Sequence, residues 1–101
     1  ETTFAVLPGT GGGMLPNVNR WRNQLGLPPV DEAGLAKMAG SLDLKAGTAT
    51  LVDMTAENKQ NRIVVAIVAR GDLTWFFRLS GPDAAVEAHK ADFLKFVQSA
   101  Q

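Results

Sequence analysis

The chain of 101 residues contains no cysteine, which excludes a disulfide scaffold, thiol catalysis, thiolate metal sites and iron–sulfur clusters. That absence does not fix the compartment, because a chain without cysteine is stable in either redox environment. There is a single histidine, so a transition-metal site has almost no ligand set. Net charge is missing too: ten basic residues balance ten acidic ones, and the pI is about 6.9. A nucleic-acid footprint or a polybasic membrane anchor does not fit that balance. No apolar run approaches the ~18 residues that span a bilayer, and these residues include no secretory signal. Residue 1 is Glu, and Thr2-Thr3-Phe4-Ala5-Val6-Leu7 already reads as a strand. A chain that opens inside a strand reads as one that has lost an upstream segment.

What is present describes one globular domain spanning residues 1–101, without repeats or linkers. Hydrophobic residues make up 46% and charged residues 20%, which fits neither disorder nor a coiled coil. At this length folding hides about 65% of the unfolded chain's surface, enough for one core without staples.

Thr3 to Leu7 reads as a short strand stopped by Pro8-Gly9 and the run Thr10-Gly11-Gly12-Gly13. Leu15, Val18, Trp21 or Arg22, and Leu25 fall at helical spacing, with Gly26 as the left-handed stop and Pro28-Pro29 forbidding continuation. Asp31 is a good N-cap for a second helix reaching Ala39, with Val30 and Leu35 as a hydrophobic staple. Its expected buried stripe is Leu35, Met38, Ala39 and Leu42. Three strands should follow: Thr48 to Met54, Arg62 to Arg70 and Leu73 to Ser80. The middle one is apolar on both faces, which marks a strand covered on both sides. The last alternates, with Trp75, Phe77 and Leu79 opposite Thr74, Phe76 and Arg78. Gly71-Asp72 between them is a two-residue hairpin signal. Ser80-Gly81-Pro82-Asp83 opens a final helix, whose expected sheet-facing stripe is Val86, His89, Phe93, Phe96 and Ala100. The expected fold class is α+β, an antiparallel sheet between helical layers in the order β-α-α-β-β-β-α.

The candidate chemistry is sparse. The glycine run lies between a strand and a helix, where phosphate loops sit, but it lacks the Gly-Lys-Ser/Thr ending and the third glycine of a dinucleotide fingerprint. A mobile connector is the better reading, and an anion-binding cleft beside the run, lined by Thr10, Asn17 and Arg20, is the alternative. His89 shares the stripe of Val86 and Phe93 and has no carboxylate one turn away, so a partly buried packing role is expected rather than catalysis. Asp53, inside a strand, should pair with an arginine on a neighbouring strand. No serine has a nucleophile-elbow context. No catalytic residue, metal site or cofactor is assigned.

The most distinctive run is Asn17-Val18-Asn19-Arg20-Trp21-Arg22-Asn23-Gln24. Trp and Arg are the commonest interface anchors, so a partner-binding surface is one reading. In the other, Trp21 packs on the sheet while the arginines tie the helix to strand carbonyls or to Asp53. Both can hold at once. Arg20, Trp21 and Arg22 are the first interface candidates. Phe76 and Arg78 are the second, since only a covering helix would hide Phe76.

That run, continued by Leu25-Gly26-Leu27-Pro28-Pro29 and joined by Thr74-Trp75-Phe76-Phe77-Arg78-Leu79-Ser80-Gly81-Pro82 and Phe93-Leu94-Lys95-Phe96-Val97, resembles an uncharacterised family of bacterial exported proteins, often predicted lipoproteins. The resemblance covers nearly the whole chain. The architecture it implies is similar to the α/β/α sandwich of PsbP, the extrinsic subunit P of photosystem II. Two positions depart from the family: a further strand or strand pair before Thr3 is absent here, and Gln is usual where this chain has His89. No activity is attached to the family motifs. The resemblance implies an extracytoplasmic location, periplasmic and anchored upstream of residue 1, and a non-enzymatic accessory role on a membrane protein complex. An electron-transfer or photosynthetic complex is implied by the PsbP analogy alone. No nucleic-acid partner is expected.

Overall fold

The computed structural model describes residues 3–9, 14–44, 47–58, 60–70 and 73–99. The fold is α+β, with strands β1 (Thr3–Gly9), β2 (Ala39–Leu44), β3 (Gly47–Thr55), β4 (Asn61–Arg70) and β5 (Leu73–Pro82) and helices α1 (Met14–Gln24), α2 (Glu32–Met38) and α3 (Asp83–Ser99). The strands form one sheet in the order β1-β5-β4-β3-β2, and every neighbouring pair is antiparallel. The expected order therefore holds apart from one added strand, β2.

β4 is covered on both faces because its apolar residues are continuous. Ile63, Val65 and Ile67 join Val18, Trp21, Leu35, Val52, Met54 and Phe76 under α1 and α2. Val64, Ala66 and Val68 join Ala49, Phe77, Leu79, Val86, Phe93 and Val97 under α3. Two apolar layers thus sandwich the sheet.

α1 ends as its glycine requires. Gly26 takes φ 75, its N–H donates to the Asn23 carbonyl at 3.0 Å, and the Leu27 N–H reaches the Arg22 carbonyl at 2.8 Å. Those two bonds are the Schellman pattern, in which a left-handed residue closes the last turn. α2 is capped by Asp31, whose carboxylate accepts the Gly34 N–H at 2.8 Å. At Gly34 a Cβ would stand 3.1 Å from the Val30 Cβ, so a side chain there needs Val30 to give way by a few tenths of an ångström.

Four expectations change. β1 continues through Pro8 to Gly9 rather than stopping before it; β1 is an edge strand, the place in a sheet where proline is tolerated. Leu42 is not on the α2 stripe. It lies on β2 opposite Ala49, in the layer beneath α3. Pro82 ends β5, and α3 starts at Asp83. The buried face of α3 is Val86, Phe93 and Val97, while His89 is exposed and Phe96 is 47% exposed. Phe96 still meets Phe77 edge-on, with ring centroids 6.2 Å apart. The β4–β5 pairing reaches Arg70 opposite Leu73, so the antiparallel hairpin is present. Its turn at Gly71-Asp72, the run Thr10–Gly13 and Ala100 lie outside the described residues.

Candidate functional site

Residues 14–24 carry two jobs. On the inner side Val18 and Trp21 are wholly buried, and Trp21 meets Phe76 edge-on with centroids 5.5 Å apart. On the outer side Arg20 is exposed, with its guanidinium carbon 5.5 Å from the Trp21 ring centroid. A cation over an indole face is attracted by the ring quadrupole, so Trp21 serves as a platform that limits how Arg20 is presented.

The remaining polar residues of α1 work on the linker to α2. The Asn19 side-chain amide donates to the Val30 carbonyl at 2.9 Å and accepts the Val30 N–H at 2.8 Å. Nε of half-buried Arg22 donates to the Pro28 carbonyl at 2.7 Å, and its Nη1 lies 3.8 Å from the Met38 sulfur. Neither arginine of α1 meets Asp53, which faces α3 on the other side of the sheet.

The sequence candidates therefore separate. Trp21 and Phe76 (4% exposed) are core residues, because α1 is the covering helix that hides Phe76; neither offers a surface to a partner. Arg20 does, and Arg78 is half-buried. Arg22 is engaged with the linker. Asn17 is half-buried on α1, and Thr10 lies outside the described residues. Two side-chain donors in this region, Trp21 Nε1 and Arg78 Nε, are buried and meet no hydrogen-bond partner among the described residues, an arrangement that usually costs about 1–3 kcal/mol per group.

A second polar cluster holds α3 to the sheet. Asp53 pairs, as its place in a strand suggested, with an arginine on the next strand: Arg62 grips it through both Nε and Nη2, the former at 2.8 Å. Arg62 Nη1 also donates to Glu87 at 2.7 Å and Asp83 at 3.3 Å, and Lys90 Nζ reaches Asp53 at 2.8 Å. Burial pushes the Asp53 carboxyl up, but the hydrogen bonds from Arg62 and Lys90 outweigh it and hold the pKa below its ordinary value. The hydrogen bond to Asp53 raises the Arg62 pKa further above its usual value, against the opposing effect of burial. Sequence reasoning found Asp53 but not Glu87 or Lys90. The signal was their spacing on α3, where 83, 87 and 90 share one side.

The cluster is closed on itself: its cations and carboxylates satisfy one another, which suits a clamp. His89 stands exposed on the same helix. Among the described residues no three His, Asp or Glu side chains gather so as to hold a metal ion, and no helix is long and apolar enough to cross a membrane. Compared with known proteins, the chain matches no family model, no curated protein and no solved structure.

Proposed function

We propose that this domain is a non-enzymatic, extracytoplasmic accessory module that docks on a membrane protein complex through the outer side of α1. The location and the kind of partner rest on the resemblance to exported proteins with a PsbP-like fold. The electron-transfer character of the complex rests on that analogy alone. The observation that supports docking is Arg20, exposed and poised over the buried Trp21. A surface arginine that is already oriented loses less side-chain freedom when it binds. Around it α1 carries Asn23 and Gln24, also exposed, which suits a polar contact rather than an apolar groove.

The test is a cross-linked pull-down of the tagged protein from its own host's membranes, read by mass spectrometry, with Arg20→Ala alongside. Recovery of one defined membrane complex, lost or strongly reduced in the variant, is expected. Recovery of nothing above background sinks the reading, and equal recovery by both proteins removes α1 as the contact.

A further inference from the structure

The two faces of the sheet treat their inward-reaching arginines differently. Beneath α3, Arg62 is met by three carboxylates. On the opposite face, Arg78 has no ion pair among the described residues, and its Nε is buried with no acceptor among them. The indole Nε1 of wholly buried Trp21 is in the same condition.

Both donors belong to one layer. Trp21 rests edge-on against Phe76. Arg78 follows Phe76 by two positions on β5, so it leaves the sheet on the same face. Arg78 stands opposite Val65 of β4, and Val65 lies in the apolar layer that contains Trp21. α1 has no acidic residue to offer either group, and Asp31, which caps α2, accepts the Gly34 N–H.

Buried donors are ordinarily bonded, and these two share a demand. A guanidinium donates in a fixed fork and an indole N–H donates once, and neither accepts. The matching group is planar, negatively charged and bears two acceptor oxygens. Arg20, on the Trp21 ring, adds a second positive charge to the same region.

We propose that Trp21 and Arg78 form a binding site for a small carboxylate anion, reached from the solvent-exposed part of Arg78. The site is separate from the docking reading, because it is tested on the isolated chain with no membrane complex present.

The experiment is a titration of the full chain with sodium acetate, followed by proton–nitrogen NMR of the indole and arginine Nε–H signals. Sodium chloride at matched ionic strength is the control. A saturable downfield shift of the Trp21 indole and Arg78 Nε signals is expected, with the Trp75 indole unmoved. Arg78→Gln should abolish the Trp21 shift. Trp21→Phe, which keeps an aromatic ring on Phe76, should weaken acetate binding several-fold while the Arg78 signal still moves. No saturable shift in the wild-type chain overturns the proposal. An equal shift with chloride, or a Trp21 shift that survives in Arg78→Gln, overturns it too.

Discussion

Asn19 holds both backbone groups of Val30, accepting its N–H at 2.8 Å and donating to its carbonyl at 2.9 Å. One side chain thereby fixes the residue that precedes the α2 cap, and α2 is only seven residues long. Helices this short depend on what anchors them. Asn19→Ala should destabilise the domain by about 1–3 kcal/mol, because two half-buried backbone groups lose their partner. Urea unfolding followed by far-UV circular dichroism measures it. A change under about 0.5 kcal/mol would mean that water replaces the amide without loss.

Asp53 should make stability depend on acid. Its pKa is lower in the folded chain than in the unfolded one, so the unfolded chain takes up the proton first as pH falls. Its contribution is fully present above the unfolded value of about 3.9 and fades as pH drops through the folded value. At pH 7 Asp53→Asn should cost about 1–3 kcal/mol, between the values for exposed and buried pairs. The gap from wild type should narrow towards pH 3. A gap that stays constant from pH 7 to pH 3 would show that the carboxylate charge is not what holds α3.

Gly26 offers a cleaner measurement, since a Cβ placed there meets nothing within 4 Å. Only the left-handed backbone, φ 75, resists a side chain. Gly26→Ala should therefore cost about 1–2 kcal/mol, and Gly26→Asn less, because Asn tolerates that conformation. The urea midpoint should fall with no change in slope.

Trp21 and Arg20 are neighbours with opposite predicted effects. Trp21→Ala empties a wholly buried site and should cost about 3–5 kcal/mol in thermal or urea unfolding. Arg20→Ala should change stability by less than about 0.5 kcal/mol while reducing recovery of the partner complex. If Arg20→Ala unfolds the domain instead, its role is to cover the indole.

Where local pattern and tertiary environment agree, the fold is readable from the residues. β4 and β5 show it, as do the Gly26 stop and the Asp31 cap. β2 was unreadable for a physical reason: Gly40, Ser41 and Asp43 are poor strand formers, and the pairing with β3 rather than propensity makes the strand. Leu42 also falls at a helical interval from Leu35 and Met38, which disguised it as a continuation of α2. On α3 the spacing of three and four admits two stripes. Counting apolar residues chose the one through His89 and Phe96. The buried one runs through Lys90, whose ammonium bonds Asp53 while Val86, Phe93 and Val97 pack. At the candidate site, residue type marked Trp21 and Phe76 as important without saying which way they face. Their mutual contact under α1 settled that they are core.

The strand order also sets an order of assembly. β2, β3, β4 and β5 follow one another in the chain and in the sheet, so each pairing closes a short loop at little entropic cost. β1 is different: it must find β5 across most of the chain, and it carries α1 behind it. On loop-closure entropy alone, the four-strand meander should form first and β1 should zip on last. Substitutions in the β3–β4 pairing should slow refolding, whereas those in α1 should mainly hasten unfolding.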